Sequence, residues 1–193
     1  MKVKCKINTL TEREKGYIFG FYVGDGNIFI KQTTGVYRIR FYLGKNEKEV
    51  QEHLKKILLK LFNKLHVYVD RETTICIEIH SKEFINHITT KVSKDGIKHL
   101  NKSSKDFLIG FIEGLIDSDG YVKRNYVEIT TVNPKLKQQV MKILQMFKVK
   151  VNLRSYKYLT KNGEKIGYRI GFSLLCNLFF PVKWKALAAQ TAE

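Results

Sequence analysis

Hydrophobic positions switch repeatedly between two spacings along this chain. Over residues 11–25 apolar side chains follow a helical repeat, and Thr11 with Glu14 three positions on forms a capping box that opens it. Residues 27–33 and 36–43 alternate instead, across a Thr34-Gly35 turn, and predict a β-hairpin. In its second run Ile39, Phe41 and Leu43 point one way and Arg38, Arg40 and Tyr42 the other. Helical spacing returns over 47–62 with Val50, Leu54, Ile57, Leu58 and Leu61, and Asn46 is the expected cap. A second hairpin follows, in which Leu65, Val67 and Val69 alternate with His66, Tyr68 and Asp70. After Glu72-Thr73, Ile75, Ile77 and Ile79 alternate with Thr74, Cys76, Glu78 and His80. Ser81 is expected to cap a short helix ending near residue 92, and residues 1–10 to form a leader strand or arm.

The same order then recurs. Residues 93–104 (SKDGIKHLNKSS) are polar and basic, and Ser103 or Ser104 can cap a helix running to Asp119. Strands are expected over 121–125 and 126–132, with little room for a turn between them. Asn133-Pro134 opens a helix to about residue 147, proline suiting the first helical position. Val149, Val151 and Leu153 alternate with Lys150, Asn152 and Arg154, and after a turn at 160–163 Ile166, Tyr168, Ile170 and Phe172 alternate with Lys165, Gly167 and Arg169. A last short helix is expected after Ser173, before Pro181, and a helical tail over 183–193. The fold class is therefore α+β: two pseudo-symmetric αββαββα halves, residues 1–95 and 105–193, joined by a linker at 96–104. The halves are not identical: the first hairpin is shorter in the second half than in the first, and the second hairpin is longer.

One phrase is said twice within this pattern. Gly16-Tyr-Ile-Phe-Gly20-Phe-Tyr-Val-Gly24-Asp25-Gly26 is echoed, at a constant offset, by Gly110-Phe-Ile-Glu-Gly114-Leu-Ile-Asp-Ser118-Asp119-Gly120. Positions four apart share one helix face. A glycine ladder there costs on the order of 1 kcal/mol per residue against alanine, which a helix accepts where another backbone must come close. Gly16, Gly20, Gly110 and Gly114 are thus read as the contact line of two buried helices packed ladder to ladder. Neither apolar run is long enough to span a membrane. That packing brings Asp25 and Asp119 together at the two helix C-termini. The competing reading makes each Asp-Gly a simple helix stop.

Composition adds a partner class. Lys and Arg number 35 against 18 Asp and Glu, a net charge of +17, while 44% of residues are hydrophobic. A globular chain with that excess is expected to meet a polyanion, nucleic acid first; a merely basic or ribosome-associated surface is the plainer alternative. Cys5, Cys76 and Cys176 are far apart and the histidines scattered, so neither a disulfide framework nor a zinc site is expected. No apolar signal follows Met1, so the protein is expected in the cytoplasm, or in an organelle if encoded there, and not secreted.

Two sheets with helices behind and a polar, basic face in front would form a saddle, and a strand ribbon fits the DNA major groove. The face residues so expected are Lys31, Thr33, Arg38, Arg40, Tyr42, His66, Tyr68, Glu78 and His80 in the first half. In the second they are Lys123, Asn125, Glu128, Thr130, Asn152, Arg154, Tyr156, Lys165 and Arg169. Because the halves differ in sequence, the bound site should be asymmetric. Asp25 and Asp119, with the carbonyls of Gly24 and Ser118, make a hard-oxygen set suited to Mg²⁺ or another hard divalent cation rather than zinc.

The repeated phrase resembles the motif of the LAGLIDADG homing endonucleases, read at residues 18–26 and 112–120. Two motifs in one chain resemble the monomeric, pseudo-twofold members. The resemblance implies a site-specific DNA endonuclease that cuts both strands of double-stranded DNA across the minor groove during intron homing. It assigns the metal-binding role to Asp25 and Asp119. It also implies a basic residue after the second strand of each half. Lys45 fits in the first half; no equivalent stands near Thr131-Val132, with Lys123 or Lys135 as substitutes. The first motif departs from the pattern at Val23, where Asp117 stands in the second. Two rival functions stay open at this point: an RNA-binding maturase acting on its own intron RNA, and a non-cleaving DNA-binding regulator. An intein is not expected, since the ends lack splice-junction residues.

Overall fold

The structure is a computed structural model that describes residues 6–161, 163–174, 179 and 181–183. After a 3₁₀ turn at Ile7–Thr9, helix α1 (Glu12–Asp25) opens on the expected capping box: Thr11 accepts from the Glu14 N–H and Glu14 accepts from the Thr11 N–H. Strands β1 (Gly26–Lys31) and β2 (Val36–Gly44) flank a 3₁₀ turn at Gln32–Thr34, so Thr33 sits at the hairpin tip rather than in a strand. Helix α2 (Lys48–Leu59) is shorter than its apolar pattern. Asn46 does not cap it. Glu47 holds the cap position without a side-chain cap bond, because its carboxylate takes the Gly44 N–H instead.

Strands β3 (His66–Arg71) and β4 (Thr74–Ile79) and helix α3 (Lys82–Lys91), capped by Ser81, complete the first half. The joining stretch is folded. Strands β5 (Val92–Ser93) and β6 (Gly96–Ile97) pair in a tight hairpin, and a 3₁₀ turn spans Leu100–Lys102. Gln139 clamps this hairpin to the second half by accepting from the Ile97 N–H at 2.7 Å and donating to the Ile97 carbonyl at 2.9 Å.

Helix α4 (Lys105–Asp119) is capped by Ser104. Strands β7 (Gly120–Lys123) and β8 (Tyr126–Thr131) follow, then α5 (Pro134–Met146), capped by Asn133 with Pro134 at its start. The turn between β7 and β8 holds Arg124 and Asn125, and Arg124 takes a left-handed φ of 52° to make it so short. Strands β9 (Val151–Thr160) and β10 (Gly163–Ser173) form the long hairpin expected of the second half. The residues that would confirm the last short helix, the tail and the beginning of the leader arm lie outside those described.

The two halves repeat one topology. Sheet order is β1-β2-β4-β3 in the first and β7-β8-β10-β9 in the second, all antiparallel. One face of each sheet carries the core: Ile39, Phe41, Leu43, Ile77 and Ile79 in the first, Val127, Ile129, Ile170 and Phe172 in the second, all buried against helices.

The halves meet along α1 and α4. A Cβ on Gly16 would stand 2.1 Å from the Phe107 carbonyl oxygen, and on Gly20 2.0 Å from that of Phe111. On Gly110 it would stand 1.9 Å from the Arg13 carbonyl oxygen, and on Gly114 2.0 Å from that of Tyr17. No side chain fits those gaps, so the helices touch backbone to backbone. Arg13 and Glu113 pair across the seam, Nε to Oε2 at 2.9 Å.

Candidate functional site

The seam delivers two acids to one place. Asp25 ends α1 and Asp119 ends α4. The approach is close enough that a Cβ on Gly24 would lie 2.0 Å from Ser118 Oγ and 3.1 Å from Asp119 Oδ2. Burial pushes the Asp25 carboxyl up to about 6, and the facing Asp119 adds to it. The Asp119 carboxyl also rises: one side opens to solvent, but protein surrounds the rest.

Two lysines stand on the helix ends beside these acids. Lys94, at the β5–β6 turn, donates to the carbonyls of Tyr22 at 2.7 Å, Val23 at 3.0 Å and Gly24 at 3.0 Å. Lys183 donates to the carbonyls of Ser118 at 3.2 Å and Gly120 at 3.4 Å, and pairs with Glu47 at 2.8 Å. Helix C-termini leave carbonyls unpaired and carry the negative end of the dipole, so an ammonium group there is held twice over. Burial lowers the Lys94 pKa, and Asp119 and Asp25 only partly oppose it. The arrangement is pseudo-symmetric: one lysine per motif helix, each arriving from the segment that follows the hairpins of its half.

The motif acids and helix-contact glycines thus sit where the repeated phrase places them. Lys45 is described at the end of β2, where its N–H donates to Thr73, and the lysines whose charge acts on Asp25 and Asp119 are Lys94 and Lys183. Neither was singled out in the sequence. Their contacts join residues that are far apart in the chain, 70 for Lys94 and Gly24, and lysines are too abundant for two of them to stand out. Their place in the segments that follow the second hairpin of each half is the signal that could have found them.

The donor set suits a hard cation. Two carboxylates and the Gly24 and Ser118 carbonyls are all oxygen. Among the described residues no cluster of three or more His, Cys, Asp or Glu could hold a metal ion. A divalent ion at the acid pair would therefore complete its shell with carbonyls, water or phosphate oxygens.

On either side of this centre run the outward sheet faces. Strand register puts Lys31, Arg38, Arg40, Tyr42, His66, Tyr68 and Glu78 on one face of the first sheet, with Thr33 at a hairpin tip and His80 just beyond β4. Lys123, Glu128, Thr130, Asn152, Arg154, Tyr156, Lys165 and Arg169 share the corresponding face of the second, with Asn125 in the β7–β8 turn. Phe29 and Tyr121 belong to these faces and were not anticipated. Each floor holds an arginine beside a carboxylate. Arg40 donates to Glu78 at 2.5 Å, and Glu78 also contacts His80 Nε2 at 2.5 Å. Arg169 lies 3.6 Å from Glu128. Arg38 stacks over Phe29, and its buried Nε has no partner among the described residues.

Residues 106–178 match the LAGLIDADG-like domain family. That match takes in nearly all of α4 and the whole of the second sheet. An uncharacterized protein of Methanocaldococcus jannaschii is 29% identical over 140 residues, 70% of this chain and 49% of that one. The ATP-dependent DNA helicase Hel308 of Thermococcus kodakarensis is 27% identical over 66% of this chain but only 12% of its own length. The chain thus spans about half or far less of the length of these curated relatives. Among solved structures, a mesophilic variant of the homing endonuclease I-DmoI superposes with a TM-score of 0.67 at 19% identity, covering 84% of each chain. I-DmoI in complex with DNA and Ca gives 0.65 at 19% identity, again over 84% of each chain. The fold is the same α+β arrangement of antiparallel sheets about two motif helices.

Proposed function

We propose that this protein is a LAGLIDADG site-specific DNA endonuclease that makes a divalent-metal-dependent double-strand cut at a long, asymmetric site, in service of intron homing. The observation that carries this reading is the acid pair Asp25 and Asp119 with Lys94 and Lys183 beside it, centred between two polar sheet faces. A DNA-binding regulator needs the faces but has no use for two acids held together against their mutual repulsion.

Asp25 and Asp119 would hold the divalent cation, one acid from each motif; the Gly24 and Ser118 carbonyls expected to join them already accept from Lys94 and Lys183. The chemistry such an ion supplies is Lewis acidity toward a phosphoryl oxygen and activation of water. The chain's own residues do the rest. The two sheet faces bind and orient the duplex, Arg40 presenting to base edges a guanidinium fixed by Glu78. Lys94 and Lys183 hold protons at Nζ near the acids, where positive charge stabilises the extra negative charge on phosphate as the P–O bond to the leaving oxygen breaks. One motif per half provides one centre per strand, so a single chain, acting as a monomer, suffices for both cuts.

The partner proposed is double-stranded DNA. I-DmoI and I-WcaI, which share the fold, have been solved with their DNA. The test is cleavage by purified protein, with Mg²⁺, of DNA spanning the joined sequences on either side of the gene's insertion point. Double-strand breaks that vanish in Asp25→Asn and Asp119→Asn are expected. Site binding without breaks in the unaltered protein would instead support the regulator, and preferential binding of intron RNA the maturase.

A further inference from the structure

Asp117 fills the motif position that Val23 fills in the first half. Its side chain is wholly buried in α4, where an ionised group is costly unless fully hydrogen-bonded. Three donors converge on it. The Tyr17 hydroxyl donates to Oδ2 at 3.0 Å, the Val182 N–H to Oδ2 at 2.8 Å, and the Lys183 N–H to Oδ1 at 2.9 Å. Two of the three are backbone groups of the segment that carries Lys183. From that anchor the Lys183 side chain reaches the Ser118 and Gly120 carbonyls and Glu47.

The first half seats its lysine by other means. Lys94 rides on the β5–β6 turn, whose Ser93 and Gly96 pair directly, and its carbonyl accepts from Asn133 Nδ2 at 3.2 Å. Asn133 also donates to Asp95 at 2.7 Å, tying the turn to α5. Val23, in the place of an anchoring carboxylate, is packed in the core. Two centres that look alike at the acids are thus supported by unlike scaffolds.

We propose that Asp117 is the positioning residue for Lys183: its carboxylate fixes the 182–183 backbone so that the ammonium group lands on the end of α4, and it thereby sets the efficiency of one of the two centres more than that of the other. The catalytic consequence rests on the endonuclease reading; the placement of Lys183 does not. A carboxylate serving only to join Tyr17 to α4 would not require both of its oxygens to be shared with successive backbone N–H groups of a distant segment. Asparagine at 117 retains one acceptor, whereas valine, as in the first half, retains none.

The test has two arms. In the first, the full chain without metal or DNA is labelled at lysine amines and read by mass spectrometry. Asp117→Val should raise the labelling rate of Lys183 by about 10-fold, the loss expected for charge-assisted hydrogen bonds, and leave Lys94 unchanged; Asp117→Asn should fall between. An unaltered Lys183 rate, or an equal rise at Lys94, overturns the placement. If the valine variant does not fold, the asparagine variant decides by the same comparison. In the second arm, nicking of each DNA strand is timed separately. Asp117→Val should slow one strand as much as Lys183→Met does, slow the other strand less, leave DNA affinity unchanged, and add nothing to Lys183→Met in the double variant. Equal slowing of both strands, or multiplying effects in the double variant, overturns the positioning role. If the unaltered protein nicks neither strand, the endonuclease reading fails and the labelling arm still decides where Asp117 holds Lys183.

Discussion

The Lys94 ammonium group donates to the Gly24 carbonyl at 3.0 Å, at the end of α1 beside Asp25. The same group also satisfies the carbonyls of Tyr22 and Val23, so one side chain from the joining hairpin closes the last turn of a motif helix. Lys94→Met is expected to slow DNA cleavage by about 10²-fold or more, the scale of a lost proton-bearing or charge-stabilising group. Site affinity should change little. Single-turnover cleavage with a parallel gel-shift titration checks this; an unchanged rate removes Lys94 from the site.

Asp25→Asn and Asp119→Asn should each abolish double-strand cutting while sparing DNA binding, since each removes a charge needed to hold a cation but alters no sheet-face residue. Calorimetric titration with Mg²⁺ on the free protein gives a second readout. Either variant retaining full cleavage contradicts the assignment.

Proton and metal binding should oppose each other at Asp25. Its folded pKa, about 6, lies above the ordinary 3.8 because burial and Asp119 disfavour the charged form. The native state therefore holds this proton more tightly than the unfolded chain. Stability from the group is fully present below 3.8 and is lost as pH rises through about 6. A divalent cation requires the charged pair, so the rise in melting temperature on adding Mg²⁺ should be small at about pH 5 and larger at about pH 8. An equal rise at both, or persistence of the difference in Asp25→Asn, counts against the site.

The seam tolerates no added carbon. Gly114→Ala would put a Cβ 2.0 Å from the Tyr17 carbonyl oxygen, a backbone atom that cannot rotate away. A loss of about 3 kcal/mol or more is expected, at the upper end of overpacking costs. Thermal unfolding measures it, and a change within 0.5 kcal/mol, the surface-site range, would show that the helices can part freely.

Glu78 orients Arg40 on the first sheet face. Arg40→Ala should weaken binding to the target by ~1–3 kcal/mol and relax discrimination at one base position. Glu78→Ala should free the guanidinium for phosphates, raising non-specific affinity while lowering specificity. Binding in both cases should fall steeply with salt, as counterion release demands; a flat titration would argue against phosphate contact.

Local signals carried the fold a long way. The Thr11–Glu14 capping box, Asn133-Pro134 and the alternation of Ile39, Phe41 and Leu43 each act over a few residues, and each element they predict is present. Where local rules competed, they misled. Asn46 is a good cap by type, but Glu47 and Gln51 took over the turn: the Glu47 carboxylate accepts from the Gly44 N–H, and Gln51 Nε2 donates to the Gly44 carbonyl at 2.7 Å.

By itself the sequence determined that two glycine-laddered helices recur, that each ends in Asp-Gly, and that the strand faces alternate between core and polar side chains. Those properties follow from helix and strand periodicity and from the absence of a Cβ, which need no knowledge of the rest of the chain. Only the tertiary structure decided which lysines stand with the acids and what Asp117 does. Lys94, Lys183 and Glu47 meet Asp25 and Asp119 only after both halves have closed along the seam. Helix C-termini attract any nearby cation, and in a chain of net charge +17 it is chain closure, not residue type, that selects which one arrives.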